Sequence, residues 1–475
     1  MPESNNDSHF KITATNSNTR IGELNFGSKT QPTPSSLIQN SIGGGAGAWY
    51  RMITYTDLLP VPMPVLLTYF NAGGFDKSYK SSVKEIDQYG NINSFILHKR
   101  DEFFQKKYHI TDYEKTKLNW DPVTILDSGS GQFLSKQIKN KSSNQMIEVY
   151  FKKIIPKYFE FCAKHEFNIM IALDYAGKYT HKDKEKENPD YDKIVSQFET
   201  AANLQLLSES LHQMESQNYD FLVYATIHGN GPKEMKEFTE NVFELERTKK
   251  FGGLAIGGIA GWSKGDDELW NIPKFSGGIQ KGIKLGRAVK LVRKLLDEKD
   301  DTRPIHVLGA GGIKNIIPLV FAGTDTFDNV TPWRRSTDGS RKVSSNVSDP
   351  NAKGSFSRYL IPLLDNNGEV IKDNKENVLD YVKLNKRELD DVVCNCHICA
   401  AHTLQEIRQL YSSNNNEEDF FFAEILCYIH AKNQYQSICN RLRRDVESGQ
   451  SVNNVVEEIT DQDLKTNLQQ IIASI

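Results

Sequence analysis

From residue 61 onward, short continuous apolar runs alternate with longer amphipathic stretches. The runs are Val61–Phe70, Val123–Asp127, Asn168–Asp174, Phe221–His228, Gly253–Ile256, Ile305–Leu308 and Thr324–Asp328, and all but the first end in a carboxylate or run into a glycine. A short run without polar alternation is what a strand buried on both faces requires, and the stretches between then supply crossover helices. Ser196–Met214 and Gly282–Leu296 carry the expected helical spacing. Seven such units predict an α/β fold, an eight-stranded (β/α)8 TIM-like barrel, with the missing strand sought near Ser94–His98. A doubly wound open sheet is the competing architecture. The barrel is preferred because polar residues recur at the C-terminal ends of several strands, where barrel enzymes build their sites.

Upstream, Phe10 to Leu24 alternates about a turn at Asn16-Ser17-Asn18 and predicts an N-terminal β-hairpin, with Pro32 and Pro34 breaking the pattern. Gly43-Gly44-Gly45 lacks the Gly-Lys-Ser/Thr of a phosphate-binding loop and reads as a flexible turn. Lys178–Lys193 is dense in charge and reads as a solvated insertion, and Ser344–Glu376, rich in Asn, Asp, Ser and Gly, reads as a connector. Phe420–Ile475 reads as helices, with a basic stretch at Arg441-Leu442-Arg443-Arg444. The resulting division is an N-terminal β region packed on the barrel over 1–60, a catalytic barrel over 61–343, and a connector, zinc-binding subdomain and C-terminal helices over 344–475.

Composition narrows the class. The chain has 475 residues, 38% hydrophobic and 25% charged, and no apolar run of membrane-spanning length. Met1 to His9 lacks the order of a signal peptide, so a cytoplasmic protein with no membrane partner is expected. A net charge of −3 excludes a globally basic nucleic-acid binder but allows a local basic patch. Half of the six cysteines lie in Cys394-Asn395-Cys396-His397-Ile398-Cys399, and His430 follows after thirty intervening residues. Thiolates this concentrated point to a metal in a reducing compartment rather than to disulfides. Three Cys and one His would complete a tetrahedral Zn2+ site, with His397, His402 and Cys427 as alternative fourth ligands. The competing reading is three incidental buried or free thiols.

Carboxylates end three different strands: Asp127 in Leu126-Asp127-Ser128-Gly129, Asp174 in Leu173-Asp174-Tyr175, and Asp328 in Phe327-Asp328-Asn329. In a barrel they would converge. Exchange at a glycosidic carbon needs such a set, one carboxylate attacking the carbon and another handling the leaving group's proton. For a single strand-end Asp, a cap or loop anchor is an equally good explanation, but three together weaken it. The neighbouring glycines Gly129, Gly131, Gly253 and Gly257 would let a planar group approach backbone N–H groups.

These residues resemble the tRNA-guanine transglycosylase family. Asp127-Ser128-Gly129-Ser130-Gly131-Gln132-Phe133 looks like its Asp-Ser-Gly-Gly-Phe-Gln motif, Gly252-Gly253-Leu254-Ala255-Ile256-Gly257 is similar to its Gly-Gly-Leu-Ala-Val-Gly, and Gly323-Thr324-Asp325-Thr326-Phe327-Asp328 looks like its Gly-x-Asp-x-Phe-Asp. Cys394-x-Cys396-x-x-Cys399 with His430 matches its zinc site in order, and Phe10-Lys11-Ile12 through Thr33-Pro34 resembles its opening. The resemblance implies a nucleophile, Asp328, that attacks C1′ of a guanosine, and a general acid/base, Asp127. It implies recognition of the purine by Asp174, with Ser128, Gly129, His228, Gly253, Leu254 and Gly257 also lining the base site. It also implies a structural zinc held by Cys394, Cys396, Cys399 and His430.

Three departures bear on the substrate. His228 stands where the family has a glutamine, either to donate to O6 of the base or as a packed structural histidine, Ala176 replaces a cysteine of bacterial members, and Gly258 occupies the place of a bacterial glutamate near the aminomethyl group of the incoming base. Loss of that carboxylate favours a neutral 7-deazaguanine such as 7-cyano-7-deazaguanine. Trp333-Arg334-Arg335, then Arg341-Lys342, read as phosphate contacts with a stacking surface, the competing reading being a solvated charged loop. The divergent pocket resembles the family's DNA-modifying branch, so DNA is slightly favoured over tRNA as the nucleic-acid partner. A homodimer or a partner subunit remains open. From another class, the family includes a non-catalytic zinc-binding subunit that lacks the catalytic aspartates, and the presence of Asp127 and Asp328 argues against it.

Overall fold

In a computed structural model of the chain, the described residues are 9–16, 19–40, 65–69, 87–95, 98, 122–130, 152–175, 191–229, 231–258, 269–272, 277–310, 313–329, 439–457 and 462–475. The chain opens with an antiparallel sheet of β1 (Phe10–Asn16), β2 (Thr19–Phe26) and β3 (Lys29–Thr33), in that order. Pro32 does not end the pattern as the sequence suggested, because it lies in β3, where it is paired with Glu23. Among the described residues β3 has β2 as its sole neighbour, and an edge strand tolerates a residue that cannot donate a ladder hydrogen bond.

Eight parallel strands then close a barrel: β4 (Ser35–Asn40), β5 (Val65–Thr68), β6 (Thr124–Asp127), β7 (Ile169–Ile171), β8 (Leu222–Ile227), β9 (Gly253–Ile256), β10 (Ile305–Val307) and β11 (Thr326–Asn329). Six of the seven apolar runs contain one of them, and Thr324–Asp328 covers all of β11 but Asn329. The eighth strand is β4, not the stretch near Ser94–His98, since residues 92–95 are helical. Ser35-Ser36-Leu37-Ile38-Gln39-Asn40 is too polar to read as a buried run, yet it pairs with β11 on one side and β5 on the other.

Two cores explain why the other strands are apolar throughout. Leu37, Leu66, Ile125, Ile169, Ile171, Leu222, Tyr224 and Ala255 form one buried cluster inside the barrel. Alternate residues of the same strands, among them Leu67, Leu126, Met170, Val223, Leu254, Ile305 and Phe327, join the outer cluster with the helices. Side chains alternate along a strand, so burial of both faces removes the polar positions. Helices Lys152–Lys164, Tyr191–Ser216, Pro232–Leu245, Gly277–Asp297 and Ile313–Phe321 supply the outer layer. Gln462–Ser474 packs on Gly277–Asp297, where glycines make the room: a Cβ at Gly282 would come within 2.7 Å of Ile471 Cδ1. In the basic stretch, Arg441 Nε pairs with Asp445 at 2.8 Å and Arg443 donates to the Pro34 carbonyl at 2.7 Å, so both serve packing. No helix among the described residues is long and apolar enough to cross a membrane.

The N-terminal sheet covers the barrel end where the strands begin, since Phe10, Leu24 and Phe26 join the interior cluster beside Val123, Ile169 and Leu222. A buried ionic node fixes it there. Asp325, fully buried, accepts Arg20 Nε at 2.9 Å, Arg20 Nη2 at 2.6 Å, Arg293 Nη2 at 3.1 Å and the Ile305 N–H at 2.7 Å. Burial, together with the nearby Arg20 charge, pulls the Arg293 guanidinium down to about 10, and Asp325 opposes that shift. Removing the carboxylate charge would leave two buried guanidinium groups facing each other. We predict that Asp325→Asn lowers the unfolding free energy by roughly 3–5 kcal/mol, the cost of breaking a buried pair. Denaturant titration checks this, and a loss below about 1 kcal/mol, the worth of an exposed pair, contradicts it.

Candidate active site at the barrel mouth

The alternation that builds the two cores also delivers the carboxylates. Leu126 and Phe327 face the helices, so Asp127 and Asp328, their neighbours, share the interior face at the C-terminal ends of β6 and β11. Asp174 follows β7 by three residues. Backbone contacts hold these ends in place. The Tyr69 N–H donates to the Asp127 carbonyl at 2.7 Å, and the Tyr158 hydroxyl lies 2.9 Å from both the Leu126 and Ile171 carbonyls, bridging β6 and β7. Asn203, from the helix Tyr191–Ser216, clamps Tyr175 by accepting its N–H at 2.6 Å and donating to its carbonyl at 3.0 Å.

Each carboxylate has its own environment. Asp127 Oδ2 accepts the Gly129 N–H at 3.2 Å, in a turn where Gly129 takes φ of 69°, a conformation that costs glycine little. Asp174 Oδ1 accepts the Ser128 hydroxyl at 3.1 Å and the Ser130 hydroxyl in a short contact, while His228 Nε2 faces Oδ2 at 3.4 Å without completing a hydrogen bond. Asp328 lies deepest, 2% exposed, and its Oδ1 accepts the Gly309 N–H at 2.5 Å with His306 Nε2 at 3.5 Å. The side chains of Asp174 and His228 keep 14% and 16% of their surface, so the mouth is open on their side.

These environments separate the protonation states. Burial, then the charges of Asp174 and Asp328, push Asp127 up to about 7, against two backbone hydrogen bonds from Gly129 and Ser128. Burial also acts to raise Asp174, but His228 and the hydroxyls of Ser130 and Ser128 outweigh it and hold that carboxyl below its ordinary value. Asp127 is therefore poised to carry a proton near neutrality, beside a carboxylate held ionised. This is the combination that acid/base work at a glycosidic bond requires.

The expected site residues divide. Asp127, Ser128, Gly129, Asp174, His228 and Asp328 meet at the mouth, and Gly257 joins them, since a Cβ there would stand 3.3 Å from His228 Cε1. Gly253 and Leu254 are elsewhere. Gly253 begins β9 and packs on the Tyr224 ring, where a Cβ would come within 2.6 Å, and the Leu254 side chain faces the helices. The expected motif therefore sits one repeat too early. Gly257-Gly258-Ile259-Ala260 offers the same double glycine at the C-terminal strand end, and counting from Gly257 moves the place of the bacterial glutamate from Gly258 to Ser263. Three residues at the mouth were missed: Ser130 on Asp174, and His306 and Gly309 on Asp328. The available signal for His306 was a polar residue in the middle of an apolar run.

Trp333, Arg334, Arg335 and the zinc candidates Cys394, Cys396, Cys399 and His430 lie outside the described residues, as do their alternatives His397, His402 and Cys427. Among the described residues no group of three or more His, Cys, Asp or Glu side chains is arranged to hold a metal ion.

Comparison with known proteins agrees with this geometry. A family profile described as queuine tRNA-ribosyltransferase matches residues 54–463. A queuine tRNA-ribosyltransferase of Borrelia duttonii is 21% identical over 408 residues, 84% of each chain, and one of Buchnera aphidicola is 21% identical over 335 residues, 70% of this chain and 74% of its own. A Clostridium kluyveri protein of the same name is 24% identical over 173 residues, 36% of this chain and 37% of its own. With a profile that spans most of its length and a barrel whose strand ends gather the required carboxylates, the chain belongs to the tRNA-guanine transglycosylase family of guanine-exchanging pentosyltransferases.

Proposed function

We propose that this enzyme replaces guanine in a nucleic acid with a 7-deazaguanine through a covalent intermediate on Asp328. The observation that carries the reading is the convergence of three strand-end carboxylates, with Asp127 pushed up to about 7 beside a carboxylate held ionised at Asp174. In the first half-reaction an Asp328 oxygen bonds to C1′ as the bond from C1′ to the base nitrogen breaks. The electron pair goes to that nitrogen, and Asp127 supplies the proton. In the second half-reaction Asp127 takes a proton from the incoming base, whose nitrogen displaces the Asp328 oxygen.

Asp174 reads the purine. Guanine presents N1–H and an exocyclic amine side by side, and an ionised carboxylate accepts both. The hydroxyls of Ser128 and Ser130 bond to Oδ1 beforehand and the His228 ring stands beside Oδ2, and together they keep the carboxylate ionised and oriented. The target base has to leave its stack to reach this mouth.

The incoming base is read as a neutral 7-deazaguanine such as 7-cyano-7-deazaguanine, because Gly258 and Ser263, six residues after the first glycine in the two registers of the motif, both lack the carboxylate that an aminomethyl cation would need. Cys394, Cys396, Cys399 and His430 are a donor set suited to Zn2+, with the sphere filled and therefore structural, folding the C-terminal subdomain. Trp333, Arg334 and Arg335 would contact the nucleic-acid backbone close to the nucleophile. His228 and Ala176, departing from the family's usual residues, favour DNA as the acceptor. The second reading is tRNA, which the names of the relatives favour.

Two experiments test this. Labelled 7-cyano-7-deazaguanine, offered with duplex DNA and with tRNA in separate reactions, is expected to enter one of them and to fail with Asp328→Asn. Incorporation into neither acceptor, or unchanged incorporation by the variant, contradicts the proposal. The second is a pH profile of single-turnover guanine release. Asp127 must hold its proton for this step, and its carboxyl titrates at about 7, so release is expected to decline as pH rises through that value. The slope above it approaches about tenfold per pH unit. A rate that stays level to pH of about 9 removes Asp127 from the role.

A further inference from the structure

His306 is a fully buried titratable group that the proposed mechanism does not use. Its neighbours Ile305 and Val307 face the helices, so the ring points into the barrel, opposite Thr326 in the β10–β11 register. Nδ1 lies 2.9 Å from Thr326 Oγ1. Nε2 faces Asp328 Oδ1 at 3.5 Å and makes no hydrogen bond among the described residues. The same oxygen accepts the Gly309 N–H at 2.5 Å, from a turn where Gly309 takes φ of 67°. Oδ2 accepts no hydrogen bond from any described residue.

The tautomer follows from the partners. An ionised carboxylate only accepts, so the ring nitrogen facing it carries the proton. Nδ1 is then the acceptor, and the Thr326 hydroxyl donates to it. Thr326 fixes both the ring's orientation and its tautomer, as a neighbour of a working histidine commonly does.

We infer that His306 is a positioning residue for the nucleophile, reserving Asp328 Oδ1 together with the Gly309 N–H and leaving Oδ2 as the oxygen that attacks C1′. This rests on the reading of Asp328 as nucleophile. When Oδ2 bonds to C1′, the electron pair of the broken glycosidic bond goes to the base nitrogen, and Oδ1 becomes the carbonyl oxygen of the glycosyl ester. In the second half-reaction the Oδ2–C1′ bond breaks and its electron pair returns to the carboxylate. Charge then grows on Oδ1, which already accepts the Gly309 N–H and which His306 Nε2 faces at 3.5 Å. The 3.5 Å contact tightens at that stage, as contacts in an unliganded site commonly do. His306 therefore assists the departure of Asp328 from the sugar more than its attack.

The two half-reactions are measured separately by single-turnover guanine release and by incorporation of labelled 7-cyano-7-deazaguanine into the preformed intermediate. His306→Leu removes the donor and is expected to slow incorporation by about 10- to 100-fold, the effect of losing a hydrogen bond to a charged group, while release changes less than about threefold. His306→Gln carries an amide N–H near the position of Nε2 and is expected to restore incorporation to within about fivefold of wild type. Thr326→Val keeps the shape without the hydroxyl and is expected to slow incorporation by about three- to tenfold. This variant provides the test if the leucine variant fails to fold. The inference is overturned if Leu or Val leaves incorporation at the wild-type rate, or if Leu slows both steps equally and Gln is no better. Asp328→Asn serves as the parallel control. If it still releases guanine, the nucleophile assignment falls and takes the inference with it, whereas if it is inactive while the His306 variants match wild type, the inference alone falls.

Discussion

Closure of the barrel between β11 and β4 is the constraint on which the site depends. The register Thr326↔Ser35 through Asn329↔Ile38 brings the last strand back to the first. With that seam open, Asp328 would lie at the edge of a sheet, separated from Asp127 and Asp174 by the width of several strands. With it closed, the three carboxylates share one mouth, close enough for the charges of Asp174 and Asp328 to help push Asp127 up to about 7. Gathering like charges away from water is unfavourable, and the chain answers at each position differently. Asp127 is pushed up to about 7, Asp174 takes the hydroxyls of Ser128 and Ser130 with His228 beside it, and Asp328 takes the Gly309 N–H with His306 beside it.

The seam is secured from the opposite end. Asp325 lies just before β11, and its carbonyl accepts the Ser35 N–H at 3.0 Å while its carboxylate takes Arg20, Arg293 and Ile305. Asp325 and Asp328 are three residues apart and have opposite duties. One is locked among arginines at the covered end, and the other looks into the mouth. The N-terminal sheet thus bears on the mouth at a distance, because it holds the start of the strand whose end carries Asp328, the proposed nucleophile.

Much of this was legible because two-sided burial leaves a plain mark. Seven strands wrote themselves as apolar runs, and the polar residues that ended them were the ones at the mouth. β4 escaped because Ser35, Ser36, Gln39 and Asn40 do not look like barrel wall, and its place is settled by long-range pairing that no local pattern reveals. The Gly-Gly motif was set one repeat early for a related reason. Gly252-Gly253 and Gly257-Gly258 are similar in sequence, and only strand direction separates a glycine packed under Tyr224 from one beside His228. His306 was passed over because in one dimension it is a lone polar residue inside a strand, and its neighbour Asp328 is twenty-two residues away.

The central claim is that Asp328 becomes covalently attached to the nucleic acid. The most direct measurement is mass spectrometry of the enzyme quenched during turnover on the acceptor that takes up labelled base, with the adduct mapped by proteolysis. The account predicts a single nucleotide-bearing peptide modified at Asp328, discharged when a 7-deazaguanine is added. An adduct at Asp127 or Asp174, or base exchange that proceeds at the normal rate with no adduct at any aspartate, would contradict it.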